Sequence, residues 1–153
     1  MSVAFRNIDV DPASPVAEWG FEGLLAAIDR GDVREWHRIW AAVHDEPWGD
    51  VARLLDDEVL GAATDRGVVA MLRHAIVRER NRREAEERAE VAARFASLVK
   101  RSGLSQGDFA DRIGTSRTRL NTYVTGKVTP SAAMLLRAER FVREMCPNAG
   151  SNR

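Results

Sequence analysis

The stretch of residues 104–126, LSQGDFADRIGTSRTRLNTYVTG, constrains the fold more than any other part of the chain. Ser105 and Ser116 each precede a short segment with helical spacing, where a hydroxyl can accept a hydrogen bond from an unpaired backbone N–H group. Gly114 lies between the two segments and can adopt the positive φ that ends a helix. The sequence therefore predicts two short helices joined by a tight corner.

The two faces of this helix pair differ in chemistry. The inward positions are apolar, with one small residue where the helices would cross closely: Phe109, Ala110, Ile113, Leu120 and Tyr123. The outward positions of the second helix are polar or basic: Arg117, Thr118, Arg119, Asn121 and Thr122. Such side chains can reach base edges or phosphates. An ordinary helical corner would not need this face, so the pattern favours a helix-turn-helix that reads DNA.

Residues 93–142 resemble the Cro/phage-repressor type of helix-turn-helix domain, also called the XRE-like or lambda-repressor-like family. The residues that carry the resemblance span four predicted helices: Gly103-Leu104-Ser105-Gln106, Phe109-Ala110, Ile113-Gly114, Ser116, Leu120, Gly126-Lys127, Pro130 and Leu135-Leu136. The chain departs from the family in two ways: Val124 stands where glutamate is frequent, and the usual fifth helix is missing. Because that helix often joins two copies, we expect dimerisation to involve the spacer or the N-terminal domain.

The resemblance implies four residues that position the domain on DNA. Gln106 matches a position that contacts phosphate from a helix N-terminus. Ser116 caps the recognition helix, which is expected over residues 116–125. Arg119 and Lys127 suit phosphate contacts.

The resemblance also implies a set of base-reading residues. Arg117 and Thr118 match base-reading positions on the first turn of the recognition helix, and Asn121 and Thr122 follow one turn later. Arg117 could contact guanine with two hydrogen bonds, which would contribute roughly 1–3 kcal/mol of discrimination. We expect these four side chains to determine sequence preference.

A formal net charge of zero conceals a separation of charge along the chain. Residues 1–77 contain 7 arginines and 14 acidic residues, whereas residues 91–153 contain 11 basic and 4 acidic residues. Residues 78–90 contain 5 of each sign. An acidic half and a basic half joined by a neutral connector suggest two modules with different partners. The basic half carries the helix-turn-helix, where phosphate binding needs positive charge.

The N-terminal half is predicted to be a small acidic helical interaction domain over residues 14–77. Residues 1–13 lack helical periodicity, and we expect a flexible arm there. Ser14-Pro15 has the order of an N-cap followed by the first helical residue. A third helix is expected over residues 48–60.

A second helix of this domain is predicted from its cap and its apolar face. Asp32 and Glu35 have the spacing of a capping box. The inward face is predicted to hold Val33, Trp36, Ile39, Trp40 and Val43. The four tryptophans of the domain, Trp19, Trp36, Trp40 and Trp48, are interpreted as core residues rather than as a ligand cage.

The connector is predicted to be helical because residues 78–90 contain neither glycine nor proline. Residues 65–101 could then form one long helix, in which pairs such as Glu79–Arg83 and Glu90–Arg94 would stabilise a solvated spacer. The alternative is a coiled-coil seam. We favour the spacer, because only small residues, Ala85 and Ala89, are available for a seam.

The sequence thus predicts an all-α protein of two domains, with the helix-turn-helix domain over residues 91–146 and a disordered tail over residues 147–153. We expect a dimeric transcriptional regulator, most simply a repressor, that reads half-sites in double-stranded DNA. An alternative stays open: an antitoxin whose acidic domain binds a toxin while its basic domain controls their operon.

No enzymatic activity, cofactor or metal is expected. The chain has no phosphate-binding glycine loop, and His37 and His44 are too far apart along a helix to share a metal alone. His74 is isolated. No apolar run approaches the roughly 20 residues that span a bilayer, so no membrane partner is expected. A lone Cys146 is compatible with a cytoplasmic protein.

Overall fold

The computed structural model describes residues 5–147, and every regular element within that range is helical. The all-α prediction is therefore confirmed. Residues 1–4 of the predicted arm and residues 148–153 of the predicted tail lie outside the described residues. The chain forms two compact units, residues 1–83 and residues 84–153, and the division falls inside the predicted spacer.

The described residues of the first unit contain 3₁₀, α-helical and π-helical segments. They are the 3₁₀ turn Val16–Glu18, α1 (Gly20–Arg30), α2 (Val33–Asp45), α3 (Asp50–Leu54), the π-helical segment Leu55–Val59, α4 (Leu60–Ala62) and the first part of α5 (Arg66–Ser102). The last part of α5 belongs to the second unit, followed by α6 (Gln106–Ile113), α7 (Arg117–Val124) and α8 (Ala132–Met145).

Helix α2 begins with the capping box predicted for it. The Asp32 carboxylate accepts from the backbone N–H of Arg34 (2.8 Å), and the N–H of Asp32 donates to Glu35 Oε2 (3.0 Å). Hydrogen bonds from Arg34 lower the pKa of Asp32 to about 2. The carboxylate is therefore charged where the positive end of the helix dipole lies.

The start of the first helix differs from the sequence prediction. Pro15 precedes only the short 3₁₀ turn, and α1 begins later, at Gly20, whose φ is +62°. The Ser14 hydroxyl, expected to cap a helix, donates instead to the carbonyl of Asp11 (2.7 Å). A glycine at positive φ reverses the local backbone direction, so the predicted single helix is divided in two.

The described part of the predicted arm is packed, not detached. Phe5 is 2% exposed and lies in the core of the first unit, with its ring 4.9 Å from that of Trp19 in an edge-to-face arrangement. The expectation of an arm was wrong for this segment, because a single aromatic anchor leaves no periodic pattern. Burial of one ring is enough to fix a short segment.

Two residues predicted to be buried are exposed. Trp19 is buried as expected, while Trp36 and Trp40 are half-buried and Trp48 is 45% exposed. Val33 is 70% exposed. Both exposed residues lie at the edge of an element, Val33 as the first residue of α2 and Trp48 in the turn before α3. Helical periodicity extrapolated to element ends assigned them to the core wrongly.

Helix α5 is continuous over 37 residues, which confirms the long helix expected over residues 65–101. Asp65 begins it by accepting from the N–H groups of Gly67 and Val68, both at 3.0 Å. The spacer prediction was only partly right. Residues 84–90 are exposed, but Glu79 is 1% exposed and binds His44 and Arg82 rather than the predicted Arg83.

The second unit has its own apolar core, formed by α5, α6, α7 and α8. Its buried residues are Phe95, Leu98, Phe109, Ala110, Ile113, Leu120, Tyr123, Ala138 and Val142. All five residues predicted to face inward from the helix pair are among them. The core therefore holds the helix pair through the inward faces of α6 and α7.

Candidate nucleic-acid interface

Helix α6 is fixed at both ends by local hydrogen bonds. At its start the Ser105 hydroxyl accepts from the backbone N–H of Asp108 (3.1 Å) and donates to the Asp108 carboxylate (2.6 Å). At its end Gly114 has a φ of +75°, and the N–H of Thr115 donates to the carbonyl of Ala110 (2.9 Å). This bond is typical of a Schellman motif, which stops the helix and turns the chain sharply. The Ser105 cap and the positive φ of Gly114 were both predicted from the sequence.

Helix α7 is also fixed at both ends by local hydrogen bonds. The Ser116 hydroxyl accepts from the N–H of Arg119 (3.2 Å), as predicted for an N-cap. At the other end both the N–H and the hydroxyl of Thr125 donate to the carbonyl of Asn121 (3.1 and 2.7 Å). Gly126 then turns the chain with a φ of +75°. These bonds satisfy terminal backbone groups that would otherwise need water.

Aromatic packing determines which face of α7 is outward. Leu120 is fully buried, and the Tyr123 ring lies 5.5 Å from the ring of Phe95. Phe109 of α6 packs edge-to-face against Phe141 of α8 at 5.7 Å. Because Leu120 and Tyr123 occupy the inner face, most of the other positions of α7 face solvent.

The predicted base-reading residues lie on this outward face. Arg117, Thr118 and Asn121 are exposed, and so is Arg119. Thr122 is half-buried, and its hydroxyl donates to the carbonyl of Arg119 (2.7 Å). The hydroxyl proton of Thr122 is therefore engaged in a hydrogen bond within α7. The sequence of α7, RTRLNTYV, contains no carboxylate that would repel phosphate.

The structure brings the first turns of α6 and α7 together. Arg117 Cδ lies 4.0 Å from the position that a Cβ would occupy on Gly107, the residue after Gln106. Gln106 is half-buried, whereas Ser116 and Lys127 are exposed. A phosphate contact near Gln106 and a base contact from Arg117 would therefore lie side by side. Sequence reasoning did not identify this proximity of Gly107 to the arginine stem.

Sequence reasoning also missed Arg137, which joins α8 to the turn between the two helices. Its Nη1 donates to the carbonyl of Ile113 (3.0 Å), the last residue of α6. The same nitrogen is 3.3 Å from the position of a Cβ on Gly114. A charged donor on a terminal carbonyl is a strong cap. No local pattern signals it, because the two partners are 24 residues apart.

Two further properties bear on what this chain can bind. Within residues 5–147, no group of three or more His, Cys, Asp or Glu side chains could hold a metal ion. None of the helices in that part of the chain is long and apolar enough to cross a membrane.

The comparisons with known proteins agree with the geometry of the second unit. Residues 90–143 match the family model described as a helix-turn-helix domain. No match was found among curated proteins or among solved structures. The matched segment includes the end of α5, the helix pair and most of α8. The chain therefore carries a helix-turn-helix domain over residues 90–143, a class of domain that implies binding to DNA.

Proposed function

We propose that this chain is a sequence-specific DNA-binding regulator of transcription and acts as a repressor. The observation that carries the proposal is the outward face of α7, where Arg117, Thr118, Arg119 and Asn121 are exposed on a helix capped at both ends. Rigid placement of donors on a helix is what base readout in the major groove requires. A protein that occupies an operator represses by blocking access to it.

Within this proposal the side chains divide into two groups. Arg117, Thr118 and Asn121 contact base edges, with Thr122 at the border of the surface. Gln106, Ser116, Arg119 and Lys127 surround them and contact phosphates. Phosphate contacts fix the register of the protein on the duplex, whereas base contacts determine sequence preference.

The proposal further includes a dimer in the cytoplasm that reads two half-sites. A single eight-residue recognition helix contacts few base pairs. Two copies on one operator would double the number of base contacts and would favour a palindromic site. The proposal includes no cofactor, no membrane partner and no catalytic activity.

Selection of bound duplexes from a random pool tests the proposal directly. We expect the full chain to enrich a sequence motif with two related half-sites. We expect its affinity for that motif to exceed its affinity for scrambled duplexes by at least 10³-fold at physiological salt. A variant in which Arg117 and Asn121 are both alanine is the control and should enrich no such motif. Equal affinity of the wild type for every duplex would contradict the proposal.

A second proposal is that the chain is an antitoxin. The observation in its favour is the acidic character of residues 1–77, which would suit a cationic, RNA-handling toxin. Both proposals include DNA binding by the basic half, so they differ only in the partner of the acidic half. Co-expression with the neighbouring reading frame should yield a stable complex with a basic protein if the chain is an antitoxin. A regulator without a toxin should purify alone.

A further inference from the structure

The first unit carries an open groove on its surface. It has a volume of about 480 Å³ and lies between the 3₁₀ turn, the end of α2 and the start of α3. Its apolar walls include Val16, Ala42 and Val51. Three carboxylate residues line its rim, and they are Asp45, Glu46 and Asp50. An apolar floor with an acidic rim favours a basic amphipathic occupant.

Arg38 is the basic side chain among the described residues that line this groove, and it is held by other groups. Arg38 donates to the carbonyl of Ser14 (2.7 Å) and to that of Pro12, and its guanidinium carbon lies 4.7 Å above the ring of Trp19. It therefore acts as part of the wall. Asp50 is paired with Arg53, so Asp45 and Glu46 are the carboxylates that give the groove its negative charge.

The second unit presents a surface of opposite character on α8. Leu136 is 51% exposed, although the buried face of the same helix is formed by Ala138 and Val142. Arg140 and Arg143 are exposed and follow Leu136 by four and seven residues. Residues at this spacing share one helix face. An exposed leucine followed by two exposed arginines gives this face an amphipathic, basic character, with Glu144 at its edge.

We propose that the exposed face of α8 docks into the acidic groove of a second copy of the chain. Leu136 would contact the apolar walls, while Arg140 and Arg143 would face Asp45 and Glu46. This is the helix-in-groove mode of recognition, with charge complementarity selecting the partner. The proposed pair is reciprocal, with the α8 of each copy in the groove of the other.

The test measures self-association of the full chain in the absence of DNA, by sedimentation equilibrium at low ionic strength. One variant combines Arg140→Glu with Arg143→Glu, and a second combines Asp45→Arg with Glu46→Arg. We expect each variant alone to dissociate with a Kd raised at least tenfold, because like charges then face each other. An equimolar mixture of the two should recover wild-type association, since its heterodimers contain complementary contacts. Leu136→Asp should weaken association as strongly as either pair.

A matched control combines Lys100→Glu with Arg101→Glu, two exposed basic residues of the second unit that lie outside α8. This variant should associate like the wild type. A monomeric wild type, a mixture that fails to recover, or a control that dissociates equally would each overturn the inference. A purely monomeric chain that binds operator DNA with sequence preference would overturn the inference and the proposed dimer, and would leave the proposed DNA-binding function intact. A self-associating chain without sequence preference would do the reverse.

Discussion

The two units of this protein differ in how far apart along the chain their hydrogen-bond partners lie. In the second unit Ser105, Ser116 and Ser131 each cap a helix that begins with the next residue. In the first unit the polar contacts join distant segments, such as Asp29 to the N–H groups of Thr64 and Asp65. The first unit has local caps too, such as the predicted capping box of α2, but its distant contacts are not encoded in local patterns. The second unit can therefore be predicted more completely from the sequence.

The largest effect that should separate the two units is expected from Trp19→Ala. Trp19 is 1% exposed, packs against Phe5 and donates from its indole nitrogen to the carbonyl of Ser14 (3.1 Å). Removal of a buried tryptophan should destabilise the first unit by about 3–5 kcal/mol. Hydrogen exchange followed by mass spectrometry should show lost protection in α1 and α2, with α6 and α7 still protected.

Trp48→Ala is the matched control for that experiment. Its side chain is 45% exposed, so its loss should change the free energy of unfolding by less than about 1 kcal/mol. Equal loss of protection in both units after Trp19→Ala would contradict the separation of their cores.

The next effect concerns Glu79, the buried carboxylate that holds the middle of α5 against the end of α2. Its Oε2 accepts from Arg82 Nε (2.7 Å) and lies 2.9 Å from His44 Nδ1. The hydrogen bond from Arg82 lowers the pKa of Glu79 below its ordinary value of 4.5, although burial acts in the opposite direction. We expect Glu79→Gln to destabilise the first unit by about 1–3 kcal/mol at neutral pH.

The pH dependence of this loss follows from the direction of the shift. Because the pKa is lowered on folding, the charged carboxylate contributes its full stability above about pH 4.5, and that contribution is lost as the pH falls through the lower folded value. Urea unfolding of both proteins between neutral and acidic pH should show a gap that is constant above pH 4.5 and narrows below it. A gap that widens on acidification would contradict the assignment.

Glu79 also shows where prediction from the sequence ends. The run RERNRREAEERAE correctly predicts a helix, and the expected pair Glu90–Arg94 is present at 4.0 Å. The same local rule paired Glu79 with Arg83. The competing partner, His44, is 35 residues away and belongs to another helix. A charge pattern gives helicity, but it does not reveal which charges a neighbouring element buries.

The candidate interface could be predicted further than the first unit for the same reason. The caps, Gly114 and the outward residues of α7 all follow from spacing within residues 104–126. What the sequence could not provide was the support of this surface: the Arg137 bond to Ile113 and the packing of Arg117 beside Gly107. These contacts depend on how α8 and α6 are placed in three dimensions.

Arg117→Ala should show whether Arg117 contacts a base or a phosphate. If Arg117 contacts guanine with two hydrogen bonds, the loss should be about 1–3 kcal/mol at one base pair and close to zero where that pair is changed. Fluorescence anisotropy with single-substitution duplexes measures this difference. The matched control is Arg101→Ala, an exposed arginine outside both the proposed DNA contacts and the proposed docking face of α8. A uniform loss across all duplexes would assign Arg117 to phosphate.

A smaller effect is expected from the helix cap of α8. The Ser131 hydroxyl accepts from the N–H of Met134 (3.1 Å). We expect Ser131→Ala to destabilise the second unit by about 1 kcal/mol, because one terminal N–H loses its partner. The exposed Thr129 of the same loop provides a control, and Thr129→Ala should change little. Hydrogen exchange should locate the loss in α8, with the first unit unchanged.

The smallest effect is expected from Lys127→Ala and sharpens the contrast within the interface itself. Lys127 is exposed in the turn after α7, where it can neutralise a phosphate without touching a base. Its removal should weaken binding to cognate and scrambled duplexes by the same factor and reduce the slope of log K against log salt by about 1. Binding isotherms at several salt concentrations measure both quantities. A loss confined to the cognate duplex would instead make Lys127 a base-reading residue. The base-reading residues would then extend beyond the end of α7 into the turn that follows it.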